Sequence, residues 1–230
     1  MDLIDIVELL GQFLAIMLVI TLHEFSHAFA AYKCGDPTAK YAGRMTLNPV
    51  KHFDLLGVLM FLLARFGWAK PVPINPNNFD NYKKGAFWTS IAGVLCNYVT
   101  AFAVYPLYLL VQMYVLPHLV GMYAFYFVYG FFFALVLCSL SFCVFNLLPF
   151  YPLDGFRVID ALNKKRGKVY QFLAKYGYYI LLGLVFISFM ADRIVYFRYI
   201  DILGFIMNYA IAWISKPITL FWGWIFGIMI

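Results

Sequence analysis

The sequence predicts an all-α polytopic membrane protein: a multi-helix transmembrane bundle of about five to six membrane segments, interrupted by a short hairpin or loop. Three observations carry this. The 230-residue chain is 64% hydrophobic and 12% charged, against roughly 45–50% and 25% in soluble domains. Leu9 to Leu22, Phe87 to Val115 and Tyr123 to Leu153 contain no Lys, Arg, Asp or Glu. Two of these runs exceed the ~20 residues that cross a bilayer, and the first does so with its mixed flanks.

The first segment runs from about Asp5 to Tyr32, where Gly35, Asp36 and Pro37 stop it. Residues 36–52 are polar and turn-rich. Residues 53–66 are apolar but short, a length that suits a half-spanning or interfacial helix. The stretch KPVPINPNN (70–78) carries three prolines and reads as an extended hairpin or loop. Longer apolar segments follow at about Gly85–Leu116, Tyr123–Leu148 and Val169–Met190. Residues 200–230 are divided by Lys216-Pro217, giving either one kinked span or a span plus a short interfacial helix. Residues 1–160 hold the motifs described below, and 161–230 add membrane segments of no assigned role.

A net charge of +6 does not point to nucleic acid here, because the basic residues lie in loops between apolar segments. There they set orientation. Residues 33–84 hold eight Lys and Arg, 157–175 hold six, and 113–120 hold none. The first two loops are expected in the cytoplasm, with the third loop and the N-terminus outside. The acidic start, MDLIDIVELL, lacks the basic region of a signal peptide, so the first helix is expected to stay in the protein. Cys34, Cys96, Cys138 and Cys143 show no CxxC spacing and read as reduced thiols.

The first segment contains His23, Glu24 and His27, an HExxH pattern. On a helix, positions i and i+4 lie about 40° apart around the axis, so both imidazoles can address one Zn²⁺. Glu24 can then act on a water beside them. Ionisable groups in a lipid-like stretch are costly, and a metal would compensate them. The plainer alternative, two core histidines bonded to neighbours, leaves Glu24 unexplained. A catalytic zinc needs a third protein ligand. His52 and His118 are candidates, although His118 belongs to the opposite loop. Asp154, in NLLPFYPLDG (146–155), is the strongest. Pro149 and Pro152 interrupt helical bonding before it, which puts the aspartate on an unwound segment level with the histidines. Its other reading is an interfacial cap or turn residue.

Together these residues resemble the site-2 proteases, a family of intramembrane zinc metalloproteases. The likeness rests on HEFSH near the cytoplasmic end of a span, and on Asn146, Pro149, Asp154 and Gly155 in an N-x-x-P-x-x-x-x-D-G pattern. It extends to Gly93 and Asn97 in G-x-x-x-N, to GRMTLNPVKHFDLLG (43–57) and to KPVPINP (70–76), covering roughly residues 20–160. The resemblance implies His23, His27 and Asp154 as ligands of one Zn²⁺ and Glu24 as the catalytic base. It implies Asn97 and Asn146 as substrate or oxyanion groups, and residues 70–78 as a membrane-associated β hairpin or loop that pairs with substrate. Interhelical bonding for Asn97 and a helix cap for Asn146 are the simpler readings. The expected function is hydrolysis of peptide bonds in or near transmembrane helices, in regulated intramembrane proteolysis or in clearance of signal-peptide remnants. Single-span proteins and such remnants are the expected substrates, and a bacterial cytoplasmic membrane the expected location. The chain departs from larger members in leaving no room for a PDZ or CBS domain. A transporter would need ionisable groups in the outer halves of the spans, and the second and third long segments offer none there. A non-cutting homologue that only retains membrane substrates is disfavoured by the complete set of ligands and base.

Overall fold

A computed structural model describes residues 2–64, 67, 69–119, 121–163, 165–191 and 193–228. Helix α1 (Leu3–Lys33) opens with a capping box, in which Asp2 and Asp5 satisfy each other's backbone N–H groups. Its last turn carries Lys33, a cation matched to the helix C-terminus. Gly35 then turns the chain at φ +103°, against Asp80. A short helix α2 (Thr38–Tyr41) and a 3₁₀ turn (Pro49–Lys51) lead to α3 (Leu55–Ala64). Ten residues of helix rise only about 15 Å, which agrees with the half-spanning length expected for 53–66. Residues 65 and 66 of that segment lie outside the described residues.

Among the described residues no strand forms, so the hairpin reading of 70–78 is not met. One isolated antiparallel bridge joins Phe53 to Ala69. Pro71, Pro73 and Pro76 remove the donors that a ladder needs, and the chain runs without regular structure from 70 to 75, where the prolines favour extended backbone, before a 3₁₀ turn that follows the extended Asn75 at Pro76–Asn78.

Asn81 caps α4 (Tyr82–Leu110), which carries Pro106 and continues through a π-helical turn and a 3₁₀ turn to His118. Helix α5 (Met122–Leu147) returns and stops just before Pro149. After an irregular stretch, α6 (Asp154–Leu162) begins. Asp154 is therefore the first residue of a helix rather than part of the unwound segment, which ends at Leu153. A carboxylate in a first helical turn faces the positive end of the helix dipole. Then come α7 (Lys168–Ala191), α8 (Val195–Arg198) and α9 (Ile202–Phe226). Helix α9 runs unbroken through Pro217, so Ile202–Phe226 is one helix.

Four helices among the described residues are long and apolar enough to cross a membrane: α1, α4 with its extension, α5 and α7. The expected five to six membrane segments also counted the half-spanning 53–66 and the 200–230 segment; α3 is shorter than a full crossing, and α9, whose apolar sequence contains Asn208, Lys216 and Pro217, is not among the four. The centre of the bundle is α1 packed between α4 and α5. Small residues let these backbones close together, as lipid-facing bundles require. A Cβ on Gly11 of α1 would lie 2.5 Å from the Phe127 carbonyl oxygen of α5. Ala15, Val19, Ala134 and Leu135 continue that seam as a buried cluster. The four cysteines are free, and Cys143 is buried.

Candidate metal centre

Helix α1 presents His23 and His27 one turn apart, both buried. Their Nε2 atoms lie 3.0 Å apart. The Asp154 Oδ2 atom lies 3.3 Å from His23 Nε2 and 3.0 Å from His27 Nε2. Residues of α1 and of the start of α6, each just beyond a long apolar run, thus supply the three corners of one small triangle. Two ligands of a tetrahedral zinc with bonds of 2.0–2.1 Å stand about 3.3 Å from each other, so these three atoms are spaced as such a site requires.

The outer faces of the rings explain why the inner ones carry lone pairs. His27 Nδ1 lies 2.7 Å from the Thr89 carbonyl oxygen. A carbonyl only accepts, so Nδ1 carries the proton and Nε2 is left bare. The Asn97 amide lies 3.0 Å from His23 Nδ1 through Nδ2, and its Oδ1 is buried without a partner among the described residues. Turning the amide over lets Oδ1 accept from Nδ1–H and satisfies both groups. Two imidazole lone pairs and one carboxylate oxygen then converge in a buried space. Three acceptors at that distance repel each other unless a cation lies among them.

Helix α4 positions this arrangement with one stripe of residues four apart. Gly85, Thr89, Gly93, Asn97 and Ala101 are all buried, and a spacing of four keeps them on one face. Within that stripe, Thr89 and Asn97 hold the rings and Gly93 leaves room for them. Glu24 is half-buried, and its Oε2 accepts a 2.8 Å bond from the Val72 N–H. The segment 70–75 therefore lies directly against the candidate base. Asp36 anchors that segment. It is fully buried and accepts from the Asn75 N–H at 2.7 Å, from Asn78 Nδ2 at 2.8 Å, and from Thr38.

Of the residues singled out in the sequence, His23, His27 and Asp154 come together as a group able to hold a metal ion. Asn97 reaches the back of His23. Asn146 is half-buried at the end of α5 and donates to the Phe142 carbonyl at 3.1 Å. His52 stands apart: its Nε2 is 2.7 Å from the Thr46 carbonyl oxygen, within the loop that precedes α3. His118 ends the extension of α4, with the length of that helix between it and Thr89. Sequence reading missed Thr89, although its spacing of four from Gly93 was visible. It also missed Asp36 and Val72, whose roles depend on contacts across 39 and 48 positions of chain.

The sequence model of peptidase family M50 matches residues 11–188. The chain is 38% identical over 183 residues to a protein of Bacillus subtilis (strain 168) named "Putative zinc metalloprotease YwhC"; the match covers 76% of this chain and 80% of that one. No solved structure matches.

Proposed function

Because the chain belongs to peptidase family M50, the site-2 proteases, and is a membrane-embedded zinc metalloprotease, we propose that it cuts membrane proteins at peptide bonds in or near their transmembrane helices. Single-span proteins in regulated proteolysis and signal-peptide remnants are the substrates proposed. The observation that carries this reading is the convergence of His23, His27 and Asp154 beside Glu24.

In this mechanism His23 and His27 on α1 and Asp154 on α6 hold the zinc. When bound, the ion supplies a Lewis acid that makes water nucleophilic near neutral pH and polarises a carbonyl. Glu24 removes the proton from the attacking water and delivers it to the leaving amine. Asn97 keeps the proton of His23 on Nδ1, a role its buried amide supports better than direct contact with substrate. Asn146 is the proposed oxyanion donor.

A transmembrane helix hides its carbonyls in i→i−4 bonds, so the substrate must unwind before it is cut. The segment 72–74 supports an extended partner. Neither the Ile74 N–H nor the Val72 and Ile74 carbonyls are bonded to any described residue. The prolines at 71 and 73 lack the donors of the intervening positions, so pairing favours one edge of the segment. The basic loops support a site on the cytoplasmic side, where water is available. A bacterial cytoplasmic membrane fits the relative's source.

The test is cleavage in proteoliposomes of single-span substrates that differ only in their helix. Substrates with Gly or Asn near the cut are expected to be hydrolysed, and a continuous poly-Leu helix to resist. Equal cleavage of both would remove the unwinding step.

A further inference from the structure

A cleft of about 400 Å³ opens beside the centre. Val72, Ile74 and Phe79 line one wall, Ala86 and Thr89 of α4 a second, and Arg157 of α6 a third. Each wall is one link from the reacting groups. Val72 donates to Glu24, the Thr89 carbonyl holds His27, and Arg157 lies one turn beyond Asp154 on α6.

Two polar features of the cleft are unsatisfied. The Thr89 hydroxyl is buried and bonds nothing among the described residues. Arg157 is exposed and forms no ion pair among the described residues. The neighbouring carboxylate, Asp160, is engaged elsewhere. It accepts from Arg166 at 3.1 Å and from the Tyr170 hydroxyl at 2.6 Å. The remaining surface is largely apolar. The cleft thus offers an apolar floor, open backbone along 72–74 and an uncompensated cation at one side.

Resting on the protease reading above, we infer that this cleft receives the extended substrate beside the cut, and that Arg157 selects an acidic side chain there. Successive side chains of an extended peptide point to opposite faces. One apolar residue therefore fills the floor while a residue on the same face, two positions along, meets Arg157. The guanidinium fork matches a carboxylate in two parallel bonds. Arg157 is a specificity residue in this reading and takes no part in the chemistry.

A single-span substrate carrying Asp, Asn or Lys in turn at each position flanking the cut is offered to wild type, Arg157→Ala and Arg157→Glu. In wild type, one position should favour Asp over Lys by roughly tenfold or more. That ratio should fall to near one in Arg157→Ala and invert in Arg157→Glu. The ratio is taken within each protein, so partial misfolding lowers both rates and leaves it unchanged. A ratio that is the same in all three proteins at every position overturns the inference. The assay is repeated in vesicles of phosphatidylcholine alone and with phosphatidylglycerol. An Arg157 effect that follows lipid charge and not substrate charge assigns the residue to a lipid phosphate and also overturns it. Failure of wild type to cut any substrate, Asn versions included, removes the protease reading itself and this inference with it.

Discussion

A methyl group on Gly93 of α4 would stand 2.5 Å from Nε2 of His27 on α1, the atom that faces Asp154. It would also lie 2.6 Å from His23 Cε1. Gly93→Ala therefore sets two effects against each other. Alanine favours a helix interior by about 1 kcal/mol over glycine. The clash falls on two packed imidazoles, which cannot both move and still converge. The clash wins at the metal site and the propensity gain survives in the fold. Gly93→Ala should keep the helical circular dichroism of wild type and bind zinc at least about 100-fold more weakly, on the scale of losing ligand orientation. Metal content of the purified protein after dialysis against a buffered zinc solution reads this directly.

Glu24 and His23 are neighbours in sequence with separable roles. Glu24→Gln keeps a group that accepts from the Val72 N–H but cannot carry a proton. Zinc content should stay at the wild-type level while cleavage falls by roughly 10²–10⁴-fold. His23→Ala should lose both metal and cleavage. Full activity in Glu24→Gln would remove Glu24 as the base.

Asp36 makes no contact with the histidines, yet it fixes the segment that borders Glu24. Asp36→Ala leaves the Asn75 N–H and the Asn78 amide without their buried acceptor, at a cost of about 2–3 kcal/mol. Metal content should hold while KM for a membrane substrate rises, because segment 70–75 loses its anchor. The carboxyl sits below its usual range: burial opposes this, but bonds from Thr38, Asn78 and Asn75 outweigh it. A depressed carboxyl contributes its stability above the ordinary carboxylate range and loses it only as pH falls through the lowered value. The anchor should therefore stay intact from about pH 8 to pH 5. Protease protection of the 70–78 segment across that range, in wild type and variant, checks both statements.

The three candidate ligands were legible because helix periodicity alone brings His23 to His27, and two prolines mark where α5 must stop. What surrounds them was not legible to the same degree. Thr89, Gly93 and Asn97 share a face of α4, but a run of small and polar residues also reads as ordinary helix packing in a membrane. Of the two readings of 70–78, hairpin or loop, the described residues show the loop, since a proline-rich segment can be fixed by side chains such as Asp36 without a second strand. At Lys216-Pro217 the sequence allows one kinked span or a span plus a short helix; the single helix is met, and tertiary contacts favour it. Ile218 is buried against Ala101 and Leu140, and Trp222 Nε1 donates to the Phe102 carbonyl at 2.9 Å. These contacts keep α9 helical on both sides of Pro217 despite the hydrogen bond that proline removes.

Helix α7 lies in the region to which the sequence assigned no role, and Gly177 within it touches the chain that carries Asp154. A Cβ at Gly177 would come within 2.9 Å of the Tyr151 backbone nitrogen, three residues before the ligand. The same helix holds α6 at a second place, where Tyr170 stacks on Phe156 at 5.4 Å between centroids and donates to Asp160. An aspartate can meet two histidines on another helix only if its own backbone is fixed to a fraction of an ångström, because bonds near 2 Å tolerate little error. Helix α7 supplies part of that fixing. Gly177→Leu should displace the 150–154 backbone and weaken zinc binding by about tenfold or more, with helix content unchanged. Gly183 is the matched control. It lies on the same helix with nothing within 4 Å of where its Cβ would be, so Gly183→Leu makes the same chemical change without the contact. Zinc titration of the two variants decides the matter: equal affinities would show that α7 does not brace the ligand.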